Sequence, residues 1–218
     1  MRHEKLREDV CNANIQLAET GLVRWTSGNV SGRDPKSGEI IIKPSGVLFN
    51  ELTPEKMVVL DASGQLIEGD LKPSVDSSSH LYVYRNMPTV FGITHTHSKY
   101  ATAFAVAGKS LPISTTTHAC LFGRTIPCTG LATIGEEEIG REIVENIADG
   151  SAVLLRNHGV FAIGKSAFDA LKYAVYVEES AEASFLSFQL SGEIPVLDDD
   201  FVSNCRKMYL TDYGQKPS

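Results

Sequence analysis

The stretch Val90-Phe91-Gly92-Ile93-Thr94-His95-Thr96-His97 decides how we interpret the fold of this chain. Its first half is rich in β-branched and aromatic residues, which predicts a strand. Side chains alternate between the two faces of a strand, so we expect His95 and His97 to point to the same side, where they could share one metal ion. An isolated His-x-His pair is also common without a metal. The interpretation therefore depends on what the rest of the chain supplies.

Two other residues could complete a metal site. His158 follows the apolar run Ala152-Val153-Leu154-Leu155 and precedes a glycine, a pattern typical of a strand that ends in a turn. Asp76 ends the stretch Lys72-Pro73-Ser74-Val75-Asp76, which we interpret as a loop at the start of a helix. Three imidazoles and a carboxylate suit Zn²⁺, and Mn²⁺ or Co²⁺ can take the same ligands. The sequence thus predicts a divalent metal site formed by Asp76, His95, His97 and His158.

The composition is that of an ordinary globular protein. The 218 residues fit a single domain, residues 1–218. The formal net charge of -7, without a run of basic residues, argues against nucleic acid or a membrane surface as a partner. Neither a signal peptide nor an apolar run of about 20 residues is visible. The four cysteines show no C-x-x-C pairing, so we expect reduced thiols and a cytoplasmic location.

Apolar periodicity and turn residues predict hairpins mixed with separate helices. The predicted helices are 3–20, 77–86, 98–107, 136–148, 166–190 and 198–209, with a short helix after Thr53. The predicted strands are 30–33, 39–43, 57–61, 65–68, 153–155 and 160–163, together with the strand that carries the histidine pair. This order predicts an α/β sandwich in which helices cover a largely antiparallel sheet.

Small polar loops recur along the chain at Ser27-Gly28-Asn29, Ser45-Gly46 and Ser74. Glycines let backbone N–H groups approach an anion, and serine and asparagine side chains add donors, so such loops can bind a phosphate. Lys43 would add a positive charge. Each loop alone is also an ordinary turn, and no nucleotide-binding glycine pattern is present. The loops predict a phosphate site only if they meet beside the metal ligands.

Taken together, these motifs resemble the class II aldolase and L-ribulose-5-phosphate 4-epimerase family, which also includes the adducin head domain. The resemblance runs from the first helix to Tyr213-Gly214-Gln215. It implies a three-layer α/β/α sandwich around a largely antiparallel sheet, and a homotetramer with active sites between subunits. The motifs that carry it are Ser27-Gly28-Asn29-Val30-Ser31, Lys43-Pro44-Ser45-Gly46, Lys72-Pro73-Ser74-Val75-Asp76, His95-Thr96-His97-Ser98 and Asn157-His158-Gly159.

The resemblance also implies a role for individual residues. His95, His97 and His158 match the family's metal ligands, and Asp76 matches the carboxylate that binds the metal or acts as a base. Tyr213 matches a tyrosine that works across the subunit interface, and Thr116 matches a threonine that lines the pocket. The phosphate contacts fall on Ser27, Gly28, Asn29, Lys43, Ser45, Gly46 and Ser74. A second serine common after Ser74 is Val75 here, so one phosphate donor is lost.

The aldolase and 4-epimerase activities of this family share one mechanism, and the sequence has features of both enzymes. An aspartate at position 76 is the epimerase's usual choice, whereas the aldolases usually carry glutamate there. Against the epimerase, Cys120 replaces its usual aspartate, and no histidine follows His158. We expect an aldolase that cleaves a small ketose phosphate to dihydroxyacetone phosphate and an aldehyde, with the 4-epimerase as the alternative. The three intact histidines argue against a third possibility, a metal-free interaction module like the adducin head.

Overall fold

The computed structural model describes residues 1–214, so Gln215 of the matched C-terminal motif lies outside the described residues. Within that range the chain forms seven α-helices and two short 3₁₀ segments, Phe49–Glu51 and Pro54–Lys56. Among these helices, none is long and apolar enough to cross a membrane. The helices are α1 (Glu4–Glu19), α2 (Ser77–Asn86), α3 (Lys99–Ala107), α4 (Thr116–Leu121), α5 (Glu138–Ile147), α6 (Ala167–Ser191) and α7 (Asp199–Asp212).

Seven strands of the described chain form one antiparallel sheet with the order β4-β3-β2-β1-β5-β7-β6. The strands are β1 (Asn29–Arg33), β2 (Ile40–Ile42), β3 (Val58–Leu60), β4 (Leu66–Glu68), β5 (Gly92–Thr96), β6 (Ala152–Leu155) and β7 (Gly159–Gly164). The pairs β1–β2, β3–β4 and β6–β7 are connected hairpins. The first two are predicted as hairpins, and the third is predicted only as two strands that flank His158. The pairing of β1 with β5 joins segments that are distant in the sequence.

The sheet lies between two apolar cores because successive strand residues point to opposite faces. In β2, Ile41 packs with α1, α3 and α6 on one face, whereas Ile40 and Ile42 pack with α2 and α5 on the other. β7 divides in the same way: Val160 and Ala162 face the first core, and Phe161 and Ile163 face the second. This arrangement confirms the expected α/β/α sandwich around an antiparallel sheet.

The predicted helices and strands are all present, with ends that differ by a few residues. Two elements were not predicted: the 3₁₀ segment Phe49–Glu51 and the six-residue helix α4. α4 is too short to show helical periodicity, although Thr115 acts as its N-cap, since the Thr115 hydroxyl accepts a hydrogen bond from the His118 N–H. Thr116 is therefore the first residue of a helix.

The register of the central strands brings three chain segments to one edge of the sheet. Asn29, the first residue of β1, is the register partner of His95 near the end of β5. Thr96, the last residue of β5, is the partner of Val160 at the start of β7. The start of β1, the end of β5 and the start of β7 therefore meet, and α2 begins beside them.

Candidate functional site

Three histidine side chains meet at this edge of the sheet. His95 Nε2 lies 3.0 Å from His97 Nε2. The His158 ring centre lies 4.8 Å from that of His95 and 5.0 Å from that of His97. One nitrogen from each ring lies within 4.8 Å of the others. The sequence prediction that these three imidazoles come together is consistent with this geometry.

Burial keeps these three imidazoles neutral, and a hydrogen bond fixes the orientation of the His95 ring. Burial lowers the pKa of His95 to about 4, and burial also lowers the pKa of His97 and of His158. His95 Nδ1 lies 2.9 Å from the Val160 carbonyl oxygen. A neutral His95 donates its Nδ1–H to that carbonyl, which leaves the Nε2 lone pair facing the other two rings. A divalent metal binds neutral imidazoles through a free nitrogen lone pair, and a hydrogen bond to the other ring nitrogen, as in His95, commonly fixes the ligand's orientation.

A tight turn places His158 at the edge of the sheet. Asn157 adopts a left-handed backbone with φ 56°, a conformation that asparagine tolerates better than most residues. The His158 N–H donates to Leu155 O at 3.0 Å and closes the turn between β6 and β7. A Cβ atom at Gly159 would overlap the Thr96 carbonyl oxygen, so the close approach of β7 to β5 requires glycine there. The sequence Asn-His-Gly thus fits this local geometry.

The Asp76 carboxylate lies at the start of α2, as the N-cap residue. Although Asp76 occupies the N-cap position, its side chain makes no capping hydrogen bond. Instead, the carboxylate accepts a hydrogen bond from the Asn29 Nδ2 amide at 2.7 Å. Burial raises the pKa of the Asp76 carboxyl, but His95, His80 and the Asn29 amide lower it by more, so the net pKa lies below its usual value. Asp76 is therefore a carboxylate at neutral pH, held beside the histidines by a side chain from β1.

The predicted anion-binding loops open into the same cavity as these residues. The segments around Ser45 and Ser74 run side by side, because the Ser45 N–H donates to Lys72 O at 2.9 Å and the Ser74 N–H donates to Lys43 O at 3.1 Å. The cavity has a volume of about 300 Å³, enough for a small ligand. Its lining consists of Thr26, Ser27, Gly28, Asn29, Lys43, Ser45, Gly46, Ser74, Val75, Asp76, Ile134, His97 and His158.

Lys43 brings a buried positive charge to this cavity. Its side chain is only 2% exposed, and Nζ lies 4.8 Å from the centre of the Phe49 ring. Nζ donates to Thr26 O at 3.2 Å and to Pro44 O at 3.4 Å. Burial lowers the pKa of Lys43 to about 8, although Asp76 opposes that shift. The cation therefore persists at neutral pH and can attract an anion.

Thr116 and Tyr213 lie elsewhere in the single chain. Both line a separate cavity of about 480 Å³ between α4, α6 and α7, together with Cys120. Tyr213 is 72% exposed, and its ring stacks on Tyr209 at 4.9 Å between centres. One copy of the chain therefore does not bring these two residues to the histidines. The expectation that Tyr213 serves a neighbouring subunit stays a prediction.

Three residues near the site were missed by the sequence interpretation. Ile134 and Thr26 line the cavity. His80 is fully buried one turn after Asp76, beside the site. The spacing of four residues between Asp76 and His80 on a predicted helix was a usable signal, because such residues share one helix face.

The chain is similar to known proteins over most of its length. Residues 8–185 match the family model described as the class II aldolase and adducin N-terminal domain. An L-fuculose 1-phosphate aldolase is 29% identical, with a TM-score of 0.90, and the match covers 96% of this chain and 98% of that one. The L-fuculose-1-phosphate aldolase from Thermus thermophilus is 28% identical, with a TM-score of 0.76, and the match covers 88% and 99%. A sugar-phosphate aldolase from Thermotoga maritima shares the fold at 21% identity, with a TM-score of 0.73, and the match covers 88% and 97%.

Proposed function

The chain belongs to the class II aldolase and adducin family, and from this premise we propose that it is a metal-dependent aldolase acting on a small ketose phosphate. The proposed reaction is retro-aldol cleavage to dihydroxyacetone phosphate and an aldehyde. The observation that carries the proposal is a single cavity lined by two of the three clustered histidines, by Asp76 and by all three polar loops. A metal-free interaction module would not need this combination of groups.

The histidine cluster suits a divalent ion. We propose His95, His97 and His158 as its ligands, with Asp76 as a fourth ligand that substrate can displace. Three neutral imidazoles and a carboxylate favour Zn²⁺, and Mn²⁺ or Co²⁺ would also fit. The bound ion would supply Lewis-acid polarisation of the ketose carbonyl.

The polar loops would hold the phosphate. Gly28 and Gly46 have positive φ values of 79° and 71°, which suit backbone N–H groups that turn toward an anion. Lys43 would contribute its charge from one wall of the cavity, and Ser27, Asn29, Ser45 and Ser74 would contribute hydroxyl or amide groups. Val75 is 64% exposed and offers no hydrogen bond where the family commonly has a serine. We therefore expect the phosphate to be held by the remaining donors.

Proton transfer is assigned to two residues, written here in the direction of carbon–carbon bond formation. Asp76 takes a proton from the hydroxymethyl carbon of dihydroxyacetone phosphate, and that carbon then attacks the aldehyde carbon. Tyr213 of a neighbouring copy gives its proton to the aldehyde oxygen, which becomes a hydroxyl group. Cleavage runs through the same steps in reverse. Because Tyr213 is remote from the histidines of its own chain, we propose active sites between subunits, in the homotetramer that the family resemblance implies.

The 4-epimerase is the alternative, and Asp76 is the observation that favours it. That reaction needs proton donors on both faces of the bound aldehyde. Cys120 lies in the Tyr213 cavity, and burial raises the pKa of its thiol, so the thiol stays protonated. A thiol is a much weaker acid than the carboxyl group usual at this position. We therefore favour the aldolase.

The deciding experiment measures dihydroxyacetone phosphate released from a panel of ketose 1-phosphates, with and without a chelator. Chelator-sensitive release by wild type, absent from the His97→Ala variant, would support the aldolase. No release from any member of the panel by zinc-loaded protein would refute it. Conversion of L-ribulose 5-phosphate to its 4-epimer in a parallel assay would then identify the alternative, and Cys120→Asp should increase that conversion.

A further inference from the structure

His80 is a buried histidine outside the proposed ligand set. It lies on α2 and is 0% exposed. Its backbone N–H donates to the Asp76 carbonyl oxygen at 3.1 Å, so the two side chains lie on one face of the helix. Its Nδ1 lies 2.7 Å from Ser31 Oγ, which in turn lies 2.8 Å from the Tyr84 hydroxyl. The ring packs edge-on against Phe161, with 4.8 Å between ring centres.

Two adjacent polar contacts connect β1 to α2. Asn29 and Ser31 project from the same face of β1 because they are two residues apart. The Asn29 amide donates to the Asp76 carboxylate at 2.7 Å, and the Ser31 hydroxyl lies 2.7 Å from the His80 ring. The same strand and the same helix therefore fix both the carboxylate and the imidazole, side by side.

The hydrogen-bond chain and the nearby Asp76 carboxylate together favour one tautomer of His80. Burial lowers the pKa of His80 to about 3, against the opposing effect of Asp76, so the ring is neutral. If Tyr84 donates to Ser31 and Ser31 donates to Nδ1, both hydroxyl hydrogens have acceptors and the ring hydrogen is on Nε2. In the opposite tautomer, Nδ1 donates to Ser31, Ser31 donates to Tyr84, and the buried Tyr84 hydroxyl has no acceptor among the described residues. Within the described part of the chain, each tautomer therefore leaves one buried donor unpaired, either the Tyr84 O–H or the His80 Nε2–H. Because the Asp76 carboxylate is close enough to affect the His80 ring and favours an N–H on it, we assign the hydrogen to Nε2.

The Nε2–H is a buried donor with no hydrogen-bond partner among residues 1–214. Asp76 is the acidic group close enough to His80 to affect its pKa. A nearby carboxylate lowers the free energy of an unpartnered N–H dipole, and the N–H in turn favours a carboxylate held on that side. The His80 ring thus lies beside Asp76 on one face of α2 and carries an N–H that is unpaired in the described structure, in addition to the donor that Asn29 supplies.

We propose that His80 is a positioning residue that acts through Asp76. The Ser31–Tyr84 pair fixes the ring, and the ring keeps the Asp76 carboxylate directed to the three histidines. This inference rests on the proposed function, because it takes Asp76 to be part of the metal centre. It predicts an energetic coupling between His80 and Asp76 that a purely structural role for His80 would not produce.

A double-mutant cycle on zinc affinity tests that coupling without a substrate. Zinc would be titrated into the metal-free full chain against a chromophoric chelator, for wild type, His80→Phe, Asp76→Asn and the double variant. We expect His80→Phe to weaken zinc binding about tenfold, the lower end of the effect of outer partners in metal sites. In the Asp76→Asn background the same substitution should change zinc affinity by less than about twofold, within normal additivity. Equal weakening in both backgrounds, or none in either, would overturn the proposal.

Two conservative variants separate positioning from packing. His80→Gln keeps an amide N–H near the position of Nε2 and should recover most of the zinc affinity lost in His80→Phe. His80→Asn can keep only the contact with Ser31 and should behave like His80→Phe. Recovery by asparagine and not by glutamine would contradict the tautomer that we assign. Thermal unfolding of each metal-free variant confirms that the comparison is made on folded protein.

Different results would refute the role of His80 and the proposed aldolase activity. Wild-type protein that binds zinc but releases no dihydroxyacetone phosphate would refute the aldolase, and the zinc cycle would still report on His80. An uncoupled cycle in protein that does release dihydroxyacetone phosphate would overturn the role of His80 alone. Protein that binds no zinc, manganese or cobalt would overturn both.

Discussion

Gly28 and Gly46 offer a matched pair of substitutions that tests how closely the first polar loop packs on the metal centre. Both residues line the cavity and both have left-handed backbone, with φ 79° and 71°. A Cβ atom at Gly46 would have nothing within 4 Å. A Cβ atom at Gly28 would overlap the Val23 side chain and lie 2.9 Å from the His95 carbonyl oxygen. The two alanine variants therefore share the backbone cost and differ in the steric cost.

The expected losses of folding stability and zinc affinity follow from these contacts. Left-handed backbone costs alanine about 1–2 kcal/mol in either variant. Overpacking at Gly28 adds about 1–3 kcal/mol, which for a chain of this size corresponds to about 2–4 °C in Tm for each kcal/mol. Gly28→Ala should therefore unfold about 2–12 °C below Gly46→Ala. Displacement of the His95 backbone should also weaken zinc binding in Gly28→Ala about tenfold, with little change in Gly46→Ala.

The assay is thermal unfolding by circular dichroism at equal protein concentration without metal, followed by a zinc titration of each folded variant. Equal Tm values for the two alanine variants would show that the loop does not pack on His95 as described. A lower Tm for Gly28→Ala with unchanged zinc affinity would show that the clash is relieved by Val23 alone. Either result would refute the argument that this glycine couples the anion loop to the metal ligand.

Three other substitutions or conditions have defined outcomes. His97→Ala should abolish zinc binding and turnover with an unchanged circular dichroism spectrum, and wild-type zinc affinity in that variant would refute the ligand set. Because the pKa of Lys43 is about 8, KM for a sugar phosphate should rise above that pH by about tenfold per pH unit, as the cation is lost. Lys43→Met should remove this pH dependence, and a KM that rises equally in both proteins would exclude Lys43 as its source. Tyr213→Phe should lower kcat by about 100-fold, typical of a lost general acid, with zinc affinity unchanged; an unchanged kcat would remove Tyr213 from the mechanism.

The depressed pKa of Lys43 also has a consequence for folding stability. Between its folded pKa of about 8 and its usual value of 10.5, the unfolded chain binds more protons at this residue than the folded chain does. The contribution of Lys43 to the free energy of unfolding therefore increases as pH rises through that window. Substrate binding should reverse part of the shift, because a phosphate favours the charged form of the lysine.

Local sequence patterns were sufficient for most of the fold. The short apolar runs Ile40–Ile42 and Ala152–Leu155 are typical of strands that are buried on both faces. Successive side chains of these strands pack into the two cores on opposite faces of the sheet. Turn residues predict two of the three hairpins. The helix Thr116–Leu121 was missed because six residues hold less than two turns, too few for a periodic signal. Its N-cap, Thr115, was a local signal that remained unused.

By itself, the sequence determined the residue types of the site: the alternating pair His95 and His97, the histidine before Gly159, and the small polar loops that suit an anion. It could do so because strand alternation and turn conformation depend on near neighbours. Only the tertiary structure decided which of these groups meet. The Asn29–Asp76 hydrogen bond and the Ser31–His80 contact join residues 47 and 49 positions apart, through the packing of α2 on β1. Such contacts follow from the order of strands in the sheet and from the layering of helices on it, which no local pattern encodes.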